Sequence, residues 1–173
     1  MTPTRRSQRA AMSDLAKRLG PQRTILDVGI AGDDPPGAHR EFFLLADGGS
    51  FTTLDRDAAL NPDILLDITQ DVPAELAHTF DLVICSQVLE HVWDLQAAAA
   101  SLWLLTSHAG HCIVDVPFLY PPHGDGAEHD DFWRLTPAAL KRLLHTGGFP
   151  HVEAWADAAW LNSHALARKA VTV

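Results

Sequence analysis

The feature that most constrains this chain is a series of short, mostly apolar runs at 24–28, 51–54, 63–66, 80–85 and 111–116, with helix-patterned segments between some of them. Each run is too short for an ordinary helix and is bounded by turn residues, which marks it as a strand. A strand that faces water on one side alternates polar and apolar residues. These do not, and the run after Asp81 (Leu82-Val83-Ile84-Cys85) is apolar throughout. Strands of that kind are parallel and covered by helices on both faces, so the sequence predicts an α/β, open, doubly wound and mostly parallel sheet.

The helical segments fit that architecture. Met12, Leu15, Ala16 and Leu19 fall at helical spacing before Gly20-Pro21 stops them. Pro35-Pro36 delays a second helix, expected over 38–46. Asp94 is a cap for a third, with Leu95, Ala98, Leu102 and Leu105 on one face. Thr136-Pro137 opens a fourth, carrying Leu140, Leu143 and Leu144 and ending at Gly147-Gly148. A sixth strand is expected over 152–155, and a seventh has little room unless 170–173 supplies it. The 173 residues suit one domain: a flexible arm over 1–9, a single domain over 10–173, and a substrate-side loop at about 117–136.

Charge narrows the partners. A formal net charge of -9 lacks the basic footprint of a nucleic-acid binder, so nucleic acid is an unlikely partner. Cys85 and Cys112 sit in apolar runs and read as buried thiols. No apolar stretch is long enough for a membrane span, and none follows the basic start as a signal peptide would require. A cytoplasmic location is the default expectation. Trp155 and Trp160 are candidates for burial in a homodimer.

In an open parallel sheet the ligand lies beyond the carboxyl ends of the strands. The first strand ends in Asp27-Val28-Gly29-Ile30-Ala31-Gly32, where small residues let backbone N–H groups approach a ligand. Asp55 closes the second strand 23 residues after Gly32, placed to accept hydrogen bonds from two ribose hydroxyls. Asp33 and Asp34 in the turn would repel a pyrophosphate and tolerate a cationic ligand.

Four segments in this order resemble class I S-adenosylmethionine-dependent methyltransferases. They are Ile25-Leu26-Asp27-Val28-Gly29, Thr53-Leu54-Asp55, Asp67-Ile68-Thr69, and Phe80-Asp81-Leu82-Val83-Ile84-Cys85-Ser86-Gln87-Val88-Leu89-Glu90-His91-Val92. The last is similar to the fourth-strand motif of the methyltransferase type 11 group. The resemblance implies a Rossmann-like sheet of strand order 3-2-1-4-5-7-6 and S-adenosyl-L-methionine as cofactor. By it, Asp27 and the Gly29 turn, with Ile30 and Ala31, would hold the methionine end. Asp55 would bind the ribose, Arg56 would flank adenine, and Asp67 with Ile68 would meet the adenine edge. Ser86 and Gln87 would line the site. Ile30-Ala31-Gly32-Asp33 departs from the glycine-rich turn usual in the family.

The loop after the fifth strand, Pro117-Phe118-Leu119-Tyr120-Pro121-Pro122-His123-Gly124, and the later Asp130-Asp131-Phe132-Trp133-Arg134-Leu135-Thr136-Pro137, resemble a segment of methyltransferases often linked to glycan biosynthesis. This implies a small-molecule or glycan-type acceptor. His91, His123 and Asp131 are the candidate catalytic groups, and Tyr120, His123, Trp133 and Arg134 the candidate acceptor contacts. A competing reading has Asp131 and Arg134 pair to fasten the loop. His123, His129 and nearby carboxylates lack the regular spacing of a metal-binding helical pair, so no metal is expected. A non-catalytic cofactor-binding or assembly protein, or an NAD-dependent oxidoreductase, are the alternative functions.

Overall fold

A computed structural model describes residues 2–30, 37–124 and 130–171. Seven strands form one sheet in the order β3-β2-β1-β4-β5-β7-β6. They are β1 (Gln22–Val28), β2 (Leu45–Asp55), β3 (Ile64–Leu65), β4 (Phe80–Ser86), β5 (Thr106–Pro117), β6 (His151–Ala156) and β7 (Asn162–Arg168). The pairings from β3 to β5 are parallel, and β7 runs antiparallel to both β5 and β6. This is the α/β, Rossmann-like, mostly parallel sheet expected from the apolar runs. Helix α1 (Pro3–Leu19) lies on one face, and α2 (Leu95–Leu105) and α3 (Pro137–Thr146) lie on the other.

The apolar runs are continuous because successive residues serve two cores. In β4, Leu82 and Ile84 pack with Met12 and Leu15 of α1, while Val83 and Cys85 pack with Leu102 of α2 and Leu144 of α3. All four β4 residues are fully buried. Truncating Leu82 or Ile84 to alanine costs about 2–5 kcal/mol by analogy with other cores.

Three local expectations are corrected. Residues 3–9 are helical, because Thr2 accepts a hydrogen bond from the Arg5 amide at 3.3 Å and Pro3 takes the first helical position. No helix spans 38–46. A single 3-10 turn over Ala38–Glu41 gives way to β2, because Gly48 needs φ +72° and Gly49 lies where a Cβ would be 2.7 Å from the Arg23 carbonyl. The seventh strand lies at 162–168 instead of 170–173. The turn before it is held by Asp157, whose carboxylate accepts from the Ala159, Leu161 and Asn162 amides. Among the described residues, no helix is long and apolar enough to cross a membrane.

Candidate active site

The carboxyl ends of β1, β2 and β4 open into a cavity of about 380 Å³, lined by Gly29, Asp55, Arg56, Asp67, Ile68, Gln87, Val88, His91, Trp93 and Phe132 among others. A larger concavity of about 720 Å³ lies elsewhere, between Arg18, His111, Lys141 and His151. It includes the starts of β6 and the end of α1, away from the strand ends where ligands of such sheets bind, so the smaller cavity is the candidate site.

Gly29 makes the first wall. Its φ is +78°, and a Cβ there would sit 2.2 Å from Val88 Cγ2. The glycine is therefore required both by its backbone conformation and by the side chain pressed against it. Asp55, at the end of β2, is 7% exposed. One carboxylate oxygen accepts from the Ile30 amide at 2.8 Å and the other from the Asp57 amide at 2.9 Å. Each oxygen keeps a lone pair for a ligand hydroxyl. Asp67 accepts from the Thr69 amide and hydroxyl, both at 2.8 Å, which folds the loop after β3 under the cavity beside Ile68. Arg56 is exposed on the rim.

Asp27 is buried at the end of β1 and meets His39 Nδ1 at 2.8 Å. Ser86 donates to Asp115, a fully buried carboxylate on β5, and Gln87 donates to the same group at 2.9 Å. Gln87 has φ +56°, a strained conformation for a non-glycine residue that turns the chain out of β4 toward the cavity. Gln8 of α1 reaches Ser86 Oγ at 2.6 Å, so the N-terminal helix touches this end of the sheet.

The loop side is organised around Arg134. It pairs through two nitrogens with Asp131 and donates to the Tyr120 and Pro121 carbonyls, each at 3.1 Å. Asp131 also accepts from the His123 amide at 2.7 Å and faces His123 Nδ1 at 3.0 Å. Burial alone would raise the Asp131 carboxyl, but Arg134 and His123 hold it down to about 2. Such a carboxylate is a weak base and a strong fastener. His91 and His123 stand ring to ring at 5.1 Å, and Tyr120 stacks edge-on to His123 at 5.3 Å. Trp133 donates its indole N–H to the Val92 carbonyl at 2.9 Å and packs with Trp93, which is 70% exposed, at the cavity mouth.

Among the sequence-predicted residues, Gly29, Asp55, Arg56, Asp67, Ile68, Gln87 and His91 meet in one cavity. Asp27, Ile30 and Ser86 lie at the same strand ends but are engaged with His39, Asp55 and Asp115. Ala31, His129 and the turn carboxylates Asp33 and Asp34 lie outside the described residues. Trp155 stacks on His164 within the α1-side core, and Trp160 packs on Phe118 while remaining half exposed. Sequence reasoning missed three groups: His39, Asp115 and Glu90. An aspartate inside the run Cys112-Ile113-Val114-Asp115-Val116 was a visible signal, since a charge in a buried strand needs partners. Glu90 is fully buried, and burial pushes its carboxyl up to about 8.

No protein-family model matches the chain, and no curated protein matches it in sequence. Solved structures match it in fold. The Burkholderia thailandensis 1,6-didemethyltoxoflavin-N1-methyltransferase, solved with 1,6-didemethyltoxoflavin and S-adenosylhomocysteine, superposes with a TM-score of 0.68 at 19% identity, over 95% of this chain and 78% of that one. The N-methyltransferase NodS from Bradyrhizobium japonicum superposes with a TM-score of 0.64 at 17% identity, over 98% of both chains. The methyltransferase CalH, in complex with S-adenosylhomocysteine, gives 0.67 at 21% identity, over 94% of this chain and 55% of that one. The chain therefore has the Rossmann-like α/β fold that these methyltransferases share.

Proposed function

We propose that this protein binds S-adenosyl-L-methionine and transfers its methyl group to a small-molecule or glycan-type acceptor. The observation that carries the reading is the buried Asp55 carboxylate at the end of β2, lining a strand-end cavity beside the Gly29 turn. Its two oxygens are held in place by backbone amides, so a ribose diol meets a preset acceptor pair. Asp67 and Ile68 receive the adenine edge, with Arg56 flanking it. Gly29, Ile30 and Ala31 hold the methionine end with Asp27, and Ser86 and Gln87 close the wall. The acceptor enters past Trp93 and Trp133, with Tyr120 packing on it and Arg134 holding the loop.

In the reaction, an acceptor lone pair forms the new bond to the methyl carbon as the carbon–sulfur bond breaks and its electron pair stays on sulfur. Alignment and exclusion of water provide most of the acceleration. A hydroxyl acceptor also releases a proton, which His91 or His123 takes. Asp131 acts through His123, orienting the ring, because its own carboxylate is tied to Arg134. The fold of the solved methyltransferases supports this reading without specifying the acceptor.

Titration calorimetry with S-adenosylhomocysteine tests it. The wild-type chain binds, and Asp55→Ala binds about tenfold or more weakly, the worth of a lost hydrogen bond to a charged group. Binding of NAD without S-adenosylhomocysteine overturns the proposal in favour of an oxidoreductase. One observation favours a non-catalytic cofactor-binding role: His39 already occupies an oxygen of Asp27, the group assigned to the methionine end. Binding of S-adenosylhomocysteine with no methyl transfer across a broad acceptor panel would select that role.

A further inference from the structure

Glu90 is the oddest group in the molecule. It is fully buried, yet neither carboxylate oxygen has a hydrogen-bond partner among the described residues. A buried carboxylate anion without partners costs several kcal/mol unless a cation meets it or a proton neutralises it. Two imidazoles stand next to it. His91 Nε2 lies 3.9 Å from Glu90 Oε1, and His123 meets the His91 ring edge-on. One ligating atom from each of Glu90, His91 and His123 falls within a set no more than 4.8 Å across.

We infer that Glu90, His91 and His123 form a binding site for a divalent transition-metal ion of the zinc class, at the loop end of the candidate cavity. Two imidazoles and one carboxylate are a sufficient protein set for such an ion and leave it open positions.

The surroundings of the two rings suit that role. His91 Nδ1 bonds the Asp130 carbonyl at 3.0 Å, so that nitrogen carries the proton and the lone pair is on Nε2, toward Glu90. His123 Nδ1 faces the Asp131 carboxylate at 3.0 Å, which fixes its tautomer in the same sense. Metal-binding histidines regularly give their second ring N–H to a carbonyl or carboxylate in this way. Arg134 in turn fixes Asp131. Zinc ligands at about 2.0–2.1 Å from the ion sit about 3.3 Å apart. Since no pair is more than 4.8 Å apart, reaching that spacing needs a closure of at most about 1.5 Å, a distance within reach of side-chain rotation at the part-exposed His123.

His91 also lines the cavity, so the open positions of the ion face the space beside the nucleoside site. With the ion bound, the lone pairs of His91 and His123 are on the metal, so the ion takes the place of a histidine base: as a Lewis acid it acidifies an acceptor hydroxyl, whose proton leaves to solvent. That use rests on the proposed function, whereas metal binding itself does not.

The test uses untagged full-length protein stripped with a chelator and titrated with Co²⁺, followed by visible absorption, and with Zn²⁺, followed by calorimetry. One ion per chain is expected, with no thiolate charge-transfer band, since neither of the buried thiols Cys85 and Cys112 belongs to the set. Glu90→Gln and His123→Ala each weaken Co²⁺ binding by about tenfold or more, while His151→Ala leaves it unchanged. His123 is partly exposed, so its variant reports even if Glu90→Gln fails to fold. No saturable uptake by the wild type, or unchanged affinity in His123→Ala, overturns the inference. S-adenosylhomocysteine titration of the same samples separates the two claims: uptake of metal without it sinks the methyltransferase reading alone, and the converse sinks the metal site alone.

Discussion

The two ends of the cavity handle their carboxylates in opposite ways. At the strand end, the buried Asp55 and the half-buried Asp67 are each met by donors from nearby residues, two amides for one and an amide with a hydroxyl for the other. At the loop end, Glu90 is at least as deeply buried and has no hydrogen-bond partner among the described residues. The first arrangement is complete before a ligand arrives, so little has to reorganise on binding. The second has chemistry left over, and its histidines are positioned by a loop that Arg134 straps down. The difference teaches that the sheet offers a finished, preset surface, whereas the loop leaves groups unsatisfied.

Breaking the preset end gives the largest effect. Gly29→Ala forces a positive-φ residue into the Val88 side chain and is expected to cost about 3 kcal/mol of stability, from strain and overpacking together. Chemical denaturation measures it, and S-adenosylhomocysteine binding should disappear with it. Unchanged stability would mean that the turn can reorganise and is not preset.

A smaller effect sharpens the contrast from the other side. Arg134→Ala releases Asp131 and the 120–121 carbonyls, and is expected to cost about 1–2 kcal/mol. Arg134→Lys should recover little of it, because one ammonium cannot reproduce the bidentate fork. S-adenosylhomocysteine affinity should stay within about threefold of wild type, a change of less than about 1 kcal/mol. A large loss would show that the two ends are not separable.

The smallest effect concerns α1, whose Gln8 reaches Ser86 at the end of β4. Asp157 is held below its ordinary value of 3.8: burial opposes this, but the Ser7 hydroxyl and the Leu161 and Asn162 amides outweigh it. A carboxyl depressed in the folded state contributes stability above its unfolded value and loses it as pH falls through the folded one. Asp157→Asn should therefore flatten the decline in thermal stability below about pH 4. A melting series across that range checks it, and a profile parallel to wild type would rule the tether out as an acid-sensitive element.

Much of this was legible in the sequence for a physical reason. Strands buried on both faces advertise themselves as apolar runs, and β1, β4 and β5 were placed within a few residues. Asp55 and the Gly29 turn were readable because strand-end positions in a doubly wound sheet are where ligands bind. Strand β7 was not, since it reads Asn-Ser-His-Ala-Leu-Ala-Arg and hides polar residues between β5 and β6. Pairing with neighbours on both sides, not apolarity, makes it a strand. The start of α1 was missed because only Met12 and Leu15 are buried along it, leaving Thr2-Pro3 as the sole signal. The Glu90–His91–His123 grouping joins residues 32 positions apart, a proximity that only the loop's return can create.

The contact between Gly29 and Val88 has an evolutionary consequence. The two positions lie on different loops but share one volume, so position 29 is not free to gain a side chain while Val88 keeps its size. A side chain at 29 would be tolerated only after 88 had shrunk, and even then the left-handed backbone would keep part of the penalty. Measured as a double-mutant cycle, Gly29→Ala with Val88→Ala should be less damaging than the sum of the two single changes. Among descendants of this chain, a larger residue at 29 should thus appear only in the company of a smaller one at 88.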